Sequence, residues 1–512
     1  MHANAPVLHD DARYLALKAR DARFDGRFFT GVTSTGIYCR PVCKVRTPRR
    51  ENCRFFALAA QAERAGFRPC LRCRPELAPR PGWMDGTPWS AQDAGSILAR
   101  EAAKWLDTQL GVDGEAHATD AQAMSRRLGV SERHLRRVFE AQWGVSPLQY
   151  LQTRRLLTAK QLLTDTVLSM VQVAQFSGFS SVRRFNAAFL AHYRLAPTAL
   201  RKVSKTASPG SNAEAALQLK LSYRPPYDAA AMLGFIAQRA AAGVEWVDMP
   251  ALSLARTLSL VSAGTTLQGW VHCRFDPTRN TVHLQLSPGL TPALPQVVEK
   301  VRAWLDLDAD PMAINAVLGG HFAGLEGLRV PGAVDGFELA VRAVLGQQVT
   351  VAAGRTFAQR LVVRWGASVP TPWPELNTAF PTPKALAGAL PSELGALGIV
   401  RQRQQAILAL AQAVNQGDLV LSPGADVGRT LAQLQALPGI GAWTAQYIAM
   451  RALRWPDALP AQDVALHKAM GVQQSKSPAR ELERVFAAWS PWRSYAVVRA
   501  WHTLSQPGEP PP

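Results

Sequence analysis

Apolar residues along this 512-residue chain change their period several times, and each change marks an element or a boundary. Residues 217–325 mix the alternating runs VHCRF and TVHLQLS with the helix-period stretch MLGFIAQRAAA, which predicts an α+β unit. From 326 onward the period is helical almost throughout, interrupted at GQQVT, GALPSELGALG and LPGIGAW. Upstream, TDAQAMSRRLGVSERHLRRVFEAQWG begins at Thr119 and predicts two helices about the turn LGV, with Thr119 and Ser131 as N-caps. LSMVQVAQFSGFSSVRRFNAAFLAHYRLAP, from Leu168, repeats that layout about SGF, and the helical LQYLQTRRLLTAKQLL lies between the two. Pro/Gly-rich PELAPRPGWMDGTPW at 75–89 and the flexible KTASPGSNAEA at 205–215 read as breaks, and the terminal SQPGEPPP as disordered. The result is a multidomain, mainly α chain with α+β parts, divided at 1–80, 90–204, 216–325 and 326–505, a division its length supports.

No stretch has the apolar length a membrane span needs, and MHANAPVLHDDAR lacks the charged-then-apolar order of a secretion signal. A soluble cytoplasmic, nucleoid-associated protein with no membrane partner is expected. The net charge of +19 and pI near 10.2 call for a polyanionic partner, with a solvated basic surface as the plain alternative. The charge is unevenly placed: +8 over 1–85, +7 over 86–205, −1 over 206–325 and +5 over 326–512. The neutral block fits a wing that packs more than it grips DNA. Five of the six cysteines, Cys39, Cys43, Cys53, Cys70 and Cys73, fall in the first basic block, which favours metal over disulfides.

Cys39-x3-Cys43 and Cys70-x2-Cys73 are two close pairs, the usual makings of a tetrahedral four-thiolate zinc site, with Cys53 left as a structural thiol. On spacing alone such a site is as readily a structural staple as a reactive centre. The second helix of each paired unit is basic, with Arg133, Arg136 and Arg137 in one and Arg183 and Arg184 in the other, as a helix entering a DNA major groove requires. LAQLQALPGIGAWTAQYIAMRAL at 431–453 has the form helix, glycine hairpin, helix. Gly439 and Gly441 there allow backbone N–H groups to approach a phosphate. Asp463, in LPAQDVALHKAMG, lies about twenty residues on; by itself it reads as an N-cap.

GVTSTGIYCRPVCKVRTPRRENCRFF followed by AGFRPCLRCRPE resembles the N-terminal zinc module of the Ada methylation-response regulators. The resemblance implies that Zn²⁺ sits on Cys39, Cys43, Cys70 and Cys73, and that Cys39 accepts a methyl group from a DNA methylphosphotriester. Zinc keeps such a thiol deprotonated, as S_N2 transfer needs. Arg40, Lys44, Arg46, Arg49 and Arg50 are placed in sequence to hold the DNA backbone. The paired helix-turn-helix stretch is similar to AraC-type regulators, which implies promoter DNA and RNA polymerase as partners. YRPPYDAAAMLGF, FELAVRAVLGQQVT and WSPWRSYAVVRAW, with the hairpin and Asp463, resemble 3-methyladenine DNA glycosylase II of the AlkA, helix-hairpin-helix family.

That second resemblance makes Asp463 the catalytic carboxylate of a monofunctional glycosylase acting on double-stranded DNA with alkylated bases. Trp443, Tyr447, Trp501 and Phe235 become aromatic walls for an electron-poor base, although each could be core. Gln348 stands where the family prototype has its intercalating leucine, so the wedge is polar or lies elsewhere. Trp443 occupies the place of the Schiff-base lysine of strand-cleaving relatives, and no cysteine follows Cys273 to hold an iron–sulfur cluster. The expected architecture is a small zinc domain, an all-α tandem helix-turn-helix, an α+β wing and an all-α helix-hairpin-helix glycosylase core, in a monomer. The competing reading keeps the regulator and reduces the glycosylase half to a DNA-holding scaffold.

Overall fold

After an opening helix, Asp10–Ala19, come four short strands. Phe29–Val32 pairs antiparallel with Ile37–Cys39 and with Cys53–Phe56, while Ile37–Cys39 runs parallel to Arg68–Pro69. The parallel register, Ile37 opposite Arg68 and Tyr38 opposite Pro69, has a chemical consequence. The next residues along the two strands, Cys39 and Cys70, stand together at the same end of the sheet. Phe29, Tyr38, Ala62 and Phe67 form the small core behind them. The computed structural model describes residues 9–80, 94–108, 119–205, 216–262, 265–423 and 425–504; all but the first residue of the linker read at 205–215, the tail from 505 and part of the 75–89 break lie outside them.

Among the described residues seven helices follow within the same compact unit, which comprises Met1–Pro225 with 280–283 and 308–310. In the first helix-turn-helix, Thr119–Leu128 and Glu132–Trp143 meet at Gly129, whose φ of 68° a side chain would resist. Ser131 caps the second helix by accepting the His134 amide hydrogen, as its sequence position predicts, whereas Thr119 is already the first helical residue. The second copy, Met170–Phe176 and Val182–Tyr193, is capped by Ser169 and Ser181 and turns at Gly178. Between them runs Pro147–Asp165, started by a Ser146/Gln149 capping box. Its buried residues include Tyr150, Leu151, Leu156, Leu157, Leu162 and Leu163, and they surround the helix, as expected of one packed on several sides.

The second unit holds the remaining residues. Glu245–Asp248, Ser253–Ser262 and Thr265–Asp276 pair antiparallel in that order. Helices Gly336–Leu345, Val351–Trp365, Arg401–Gln416, Val427–Ala436 and Ala442–Arg451 enclose a core of Val341, Val344, Leu345, Leu361, Ile407, Leu410, Leu434 and Ile448. Phe337 of the first helix, Leu394 of the short helix Pro391–Ala396, and Leu419 and Ile440 of the connecting turns extend that core. Among the described residues no helix is long and apolar enough to cross a membrane.

Candidate metal centre and active-site cleft

The sulfurs of Cys39, Cys43, Cys70 and Cys73 lie within 4.8 Å of one another. Thiolates on one tetrahedral zinc are separated by roughly 3.8 Å, from Zn–S bonds of about 2.3 Å, so the cluster fits that ion. Cys39 and Cys70 arrive from the paired strands, and Cys43 and Cys73 from the turns that follow. The four thiols titrate together. Hydrogen bonding to Cys43 pushes Cys39 up, and the same contact draws Cys43 down to about 7. Charge on all four at once requires a cation among them. Cys39, Cys43 and Cys70 are buried and Cys73 is partly exposed. Cys53 is buried apart from the cluster, its thiol donating to the Arg49 carbonyl at 3.3 Å.

One neighbour is not available to DNA. Arg40 is buried against Asp25 in a two-pronged ion pair, and its Nη1 donates to the Cys73 carbonyl at 3.0 Å. It braces the second knuckle instead of reaching a phosphate. Lys44, Arg46 and Arg49 remain exposed beside the cluster. On the recognition helices, Arg133, Arg136, Arg137, Arg183 and Arg184 are all exposed; Arg136 pairs with Glu140 at 2.9 Å, an exposed contact that a phosphate can displace at little cost.

In the second unit a cleft of about 1020 Å³ opens between the glycine hairpin, the turn after Leu345 and the start of helix Val464–Ala469. It is lined by Asp463, Trp443, Tyr447, Trp501, Phe235, Gln348, Gly439 and Gly441, so all eight sequence candidates of this half meet there. Asp463 Oδ1 accepts from the Leu466 amide at 2.7 Å and from Trp501 Nε1 at 3.1 Å, and Oδ2 accepts from Trp443 Nε1 at 2.8 Å. The carboxylate is thus an N-cap and also a cleft residue held by two indoles. Trp443 and Tyr447 stack at 5.3 Å between centroids with 11° between planes, and Trp501 is 6.2 Å from Tyr447.

Gln348 sits exposed at the tip of its turn with φ of 54°, a left-handed backbone that few side chains adopt. The preceding residue holds that turn in place. Gln347 Nε2 donates to the Gly439 carbonyl at 3.0 Å and to Thr444 Oγ1 at 2.8 Å, tying the turn to the hairpin. Gly439 has φ of 76°, and a Cβ there would stand 3.1 Å from Ala406 Cβ. Gly441 N-caps helix Ala442–Arg451 with open space before it, the side from which a phosphate can approach the helix N-terminus.

Sequence reasoning missed the floor of this cleft. Arg256 donates to Glu245 at 3.0 Å and Glu338 at 2.6 Å, and Arg342 donates to the same two carboxylates at 2.9 and 2.7 Å. Arg239 and Arg451 approach the Phe235 ring to 3.7 and 4.9 Å, and Arg451 donates to the Tyr447 hydroxyl at 2.5 Å. Burial pushes the Tyr447 phenol up, but Arg451 and Arg239 outweigh it and hold it below its ordinary value. The one sequence signal was charge inside an apolar strand, Arg256 in SLARTLSLV.

Comparison with known proteins extends these observations along the chain. Residues 12–76 match the metal binding domain of Ada, 124–203 a helix-turn-helix domain, 218–335 the AlkA N-terminal domain, and 341–493 the HhH-GPD superfamily of base excision DNA repair proteins. The Escherichia coli DNA-3-methyladenine glycosylase 2 is 38% identical over 290 residues, covering 56% of this chain and 99% of its own. The E. coli bifunctional transcriptional activator/DNA repair enzyme Ada is 34% identical over 182 residues, covering 35% of this chain and 46% of its own. The Mycobacterium tuberculosis "Probable bifunctional transcriptional activator/DNA repair enzyme AlkA" is 37% identical over 515 residues, covering 98% of both chains. With all four segments matched in one relative, the chain belongs to the AlkA family of bifunctional transcriptional activator and DNA repair enzymes.

Proposed function

We propose that this chain hydrolyses the N-glycosidic bond of alkylated bases such as 3-methyladenine, accepts methyl groups from methylphosphotriesters on Cys39, and regulates the alkylation response. In base excision the C1′–N bond breaks with its electron pair moving to the base, neutralising the positive ring of an alkylated purine. No acid at the base is needed. The sugar is left as an oxocarbenium ion, and Asp463 is the group that stabilises it and helps align the water that adds at C1′. Trp443, Tyr447, Trp501 and Phe235 stack the extruded base, and Gln348 fills the gap it leaves in the duplex. What carries this reading is the Asp463 carboxylate fixed by two indole N–H groups inside a ring-lined cleft.

Base release from methylated duplex tests it. Asp463→Asn should reduce kcat on the order of 10²–10³-fold, the usual loss when one electrostatic stabiliser is removed. A wild-type rate in that variant would leave the second unit as the DNA-holding scaffold of the competing reading.

At the zinc centre an S–C bond forms at Cys39 as the methyl C–O bond breaks, leaving a phosphodiester anion. With Zn²⁺ held by the four cysteines as thiolates the centre would carry −2, and methylation of Cys39 would reduce this to −1, so the modified centre would repel DNA less. Its cysteine set, the exposed Lys44, Arg46 and Arg49, and the match to the Ada metal binding domain support this role. Two helix-turn-helix units on one chain supply two recognition helices, which supports action as a monomer on promoter DNA. The activator relatives support RNA polymerase as the partner there, and action on DNA in both roles supports a location on the nucleoid.

A further inference from the structure

The helix that joins the two DNA-reading units also touches the metal knuckle. Thr153, Lys160 and Thr164 of Pro147–Asp165 are spaced by seven and four, so they share one helix face. Each meets the zinc module. Thr153 Oγ1 donates to Glu63, which also accepts from the Tyr38 hydroxyl at 2.8 Å and lies 3.1 Å from His192 Nε2 of the second recognition helix. Lys160 Nζ donates to the carbonyl of the zinc ligand Cys70 at 3.0 Å and to Glu76 Oε2 at 2.6 Å. Arg74, beside Cys73, reaches Glu76 at 2.9 Å, Asp165 at 2.7 Å and Thr164 Oγ1 at 2.6 Å.

Lys160 and Glu76 are both 1% exposed. An ammonium taken so fully out of water, in a helix that could bury a leucine there instead, needs every bond it makes. One of those bonds fixes the Cys70–Leu71 peptide, the first of the Cys70–Cys73 turn. The opposite side of the same turn is braced by Arg40.

We propose that Lys160 is a positioning residue for the zinc centre: through Cys70 and Glu76 it makes the metal knuckle and the helix shared by both helix-turn-helix units one cooperative element. Zinc binding then orders the DNA-reading helices, and by thermodynamic reciprocity ordered helices tighten zinc.

The test uses the full-length protein. In wild type, stripping zinc with a chelator should raise amide hydrogen exchange in Pro147–Asp165 and Val182–Tyr193, and leave Arg401–Gln416 of the other unit unchanged. Unaltered exchange in Pro147–Asp165 overturns the proposal without recourse to any variant. Lys160→Met should lose zinc to a chromophoric competitor at least tenfold more readily, and should shift the thiolate-to-metal absorption of the cobalt-substituted centre. Lys160→Arg, which keeps a buried donor cation, should recover most of both. Wild-type zinc affinity and an unmoved cobalt spectrum in Lys160→Met would remove Lys160 from the centre and sink the idea.

Discussion

Asp463 Oδ1 receives both the Leu466 amide and the Trp501 indole, so the group that starts a helix is also oriented by the walls of the cleft. Those walls have two separable features, a ring face on which the proposed mechanism stacks the base and an N–H that holds the carboxylate. Trp443→Phe and Trp501→Phe keep the first and delete the second. A hydrogen bond to a charged acceptor is worth ~1.5–3 kcal/mol, so each change should lower kcat about ten- to hundredfold. KM for a methylated duplex should change little, whereas Trp443→Ala should raise KM as well. A loss confined to KM in the phenylalanine variants would mean that the indoles hold the base and not the carboxylate. At the metal centre a similar distinction applies. Cys73 is the partly exposed residue of the four, whereas the proposed methyl acceptor, Cys39, is buried. Peptide mass spectrometry after reaction with methylphosphotriester DNA should find the added methyl on the Cys39 peptide, and a methyl on Cys73 would reassign the nucleophile.

The hairpin between Val427–Ala436 and Ala442–Arg451 uses its glycines differently. Gly439→Ala forces a left-handed backbone on a side chain that also presses on Ala406, and should cost about 1–2 kcal/mol in urea unfolding of the second unit. Gly441 has an ordinary φ of −85° and open space, so Gly441→Ala should cost less, about 0.5 kcal/mol, while still weakening duplex binding. Across helix Gly336–Leu345 and its neighbouring strands, burial pushes the Glu245 carboxyl up, but Arg342 and Arg256 hold it below the ordinary 4.5. A depressed folded-state pKa gives stability that is complete above the unfolded value and disappears as pH falls through the folded one. Unfolding free energy should therefore drop as pH goes below about 4.5, and Glu245→Gln should flatten that limb while destabilising the unit at neutral pH by ~3 kcal/mol. A limb unchanged in Glu245→Gln would place the acid sensitivity elsewhere. These elements also show what sequence can carry. Ser131 was legible as a cap because capping is settled within a few residues. The Glu245, Arg256, Glu338 and Arg342 cluster was not, since the contacts that join its two local pairs span 82 and 97 positions. Arg40 was misread for the same reason: its charge suggests DNA, and only the folded loop reveals Asp25. Residue type at Gln348 could not announce a positive φ, because the strain is imposed by the anchoring of Gln347 to the hairpin.

At the scale of the whole molecule, two chemistries occupy two separate compact units and need different things from their surroundings. Methyl acceptance needs a thiolate kept reactive at neutral pH, and among the described residues the only His/Cys/Asp/Glu grouping suited to a metal is Cys39, Cys43, Cys70 and Cys73. Base excision needs an anion, stacking rings and a way to grip phosphate, and the cleft supplies these with Asp463, three large aromatics and a glycine hairpin, with no cysteine in its lining. Removing zinc should accordingly divide the activities. Methyl transfer from phosphotriester DNA should fall to background, while single-turnover base release at saturating enzyme should stay within about twofold of wild type, a margin of less than 0.5 kcal/mol in barrier. Saturating enzyme matters, because at limiting concentration the loss of DNA contacts from the first unit would lower occupancy and imitate a catalytic defect. A fall in the saturated rate on chelation, restored by adding zinc back, would show that excision itself draws on the metal centre, and the two chemistries would have to be treated as one coupled enzyme.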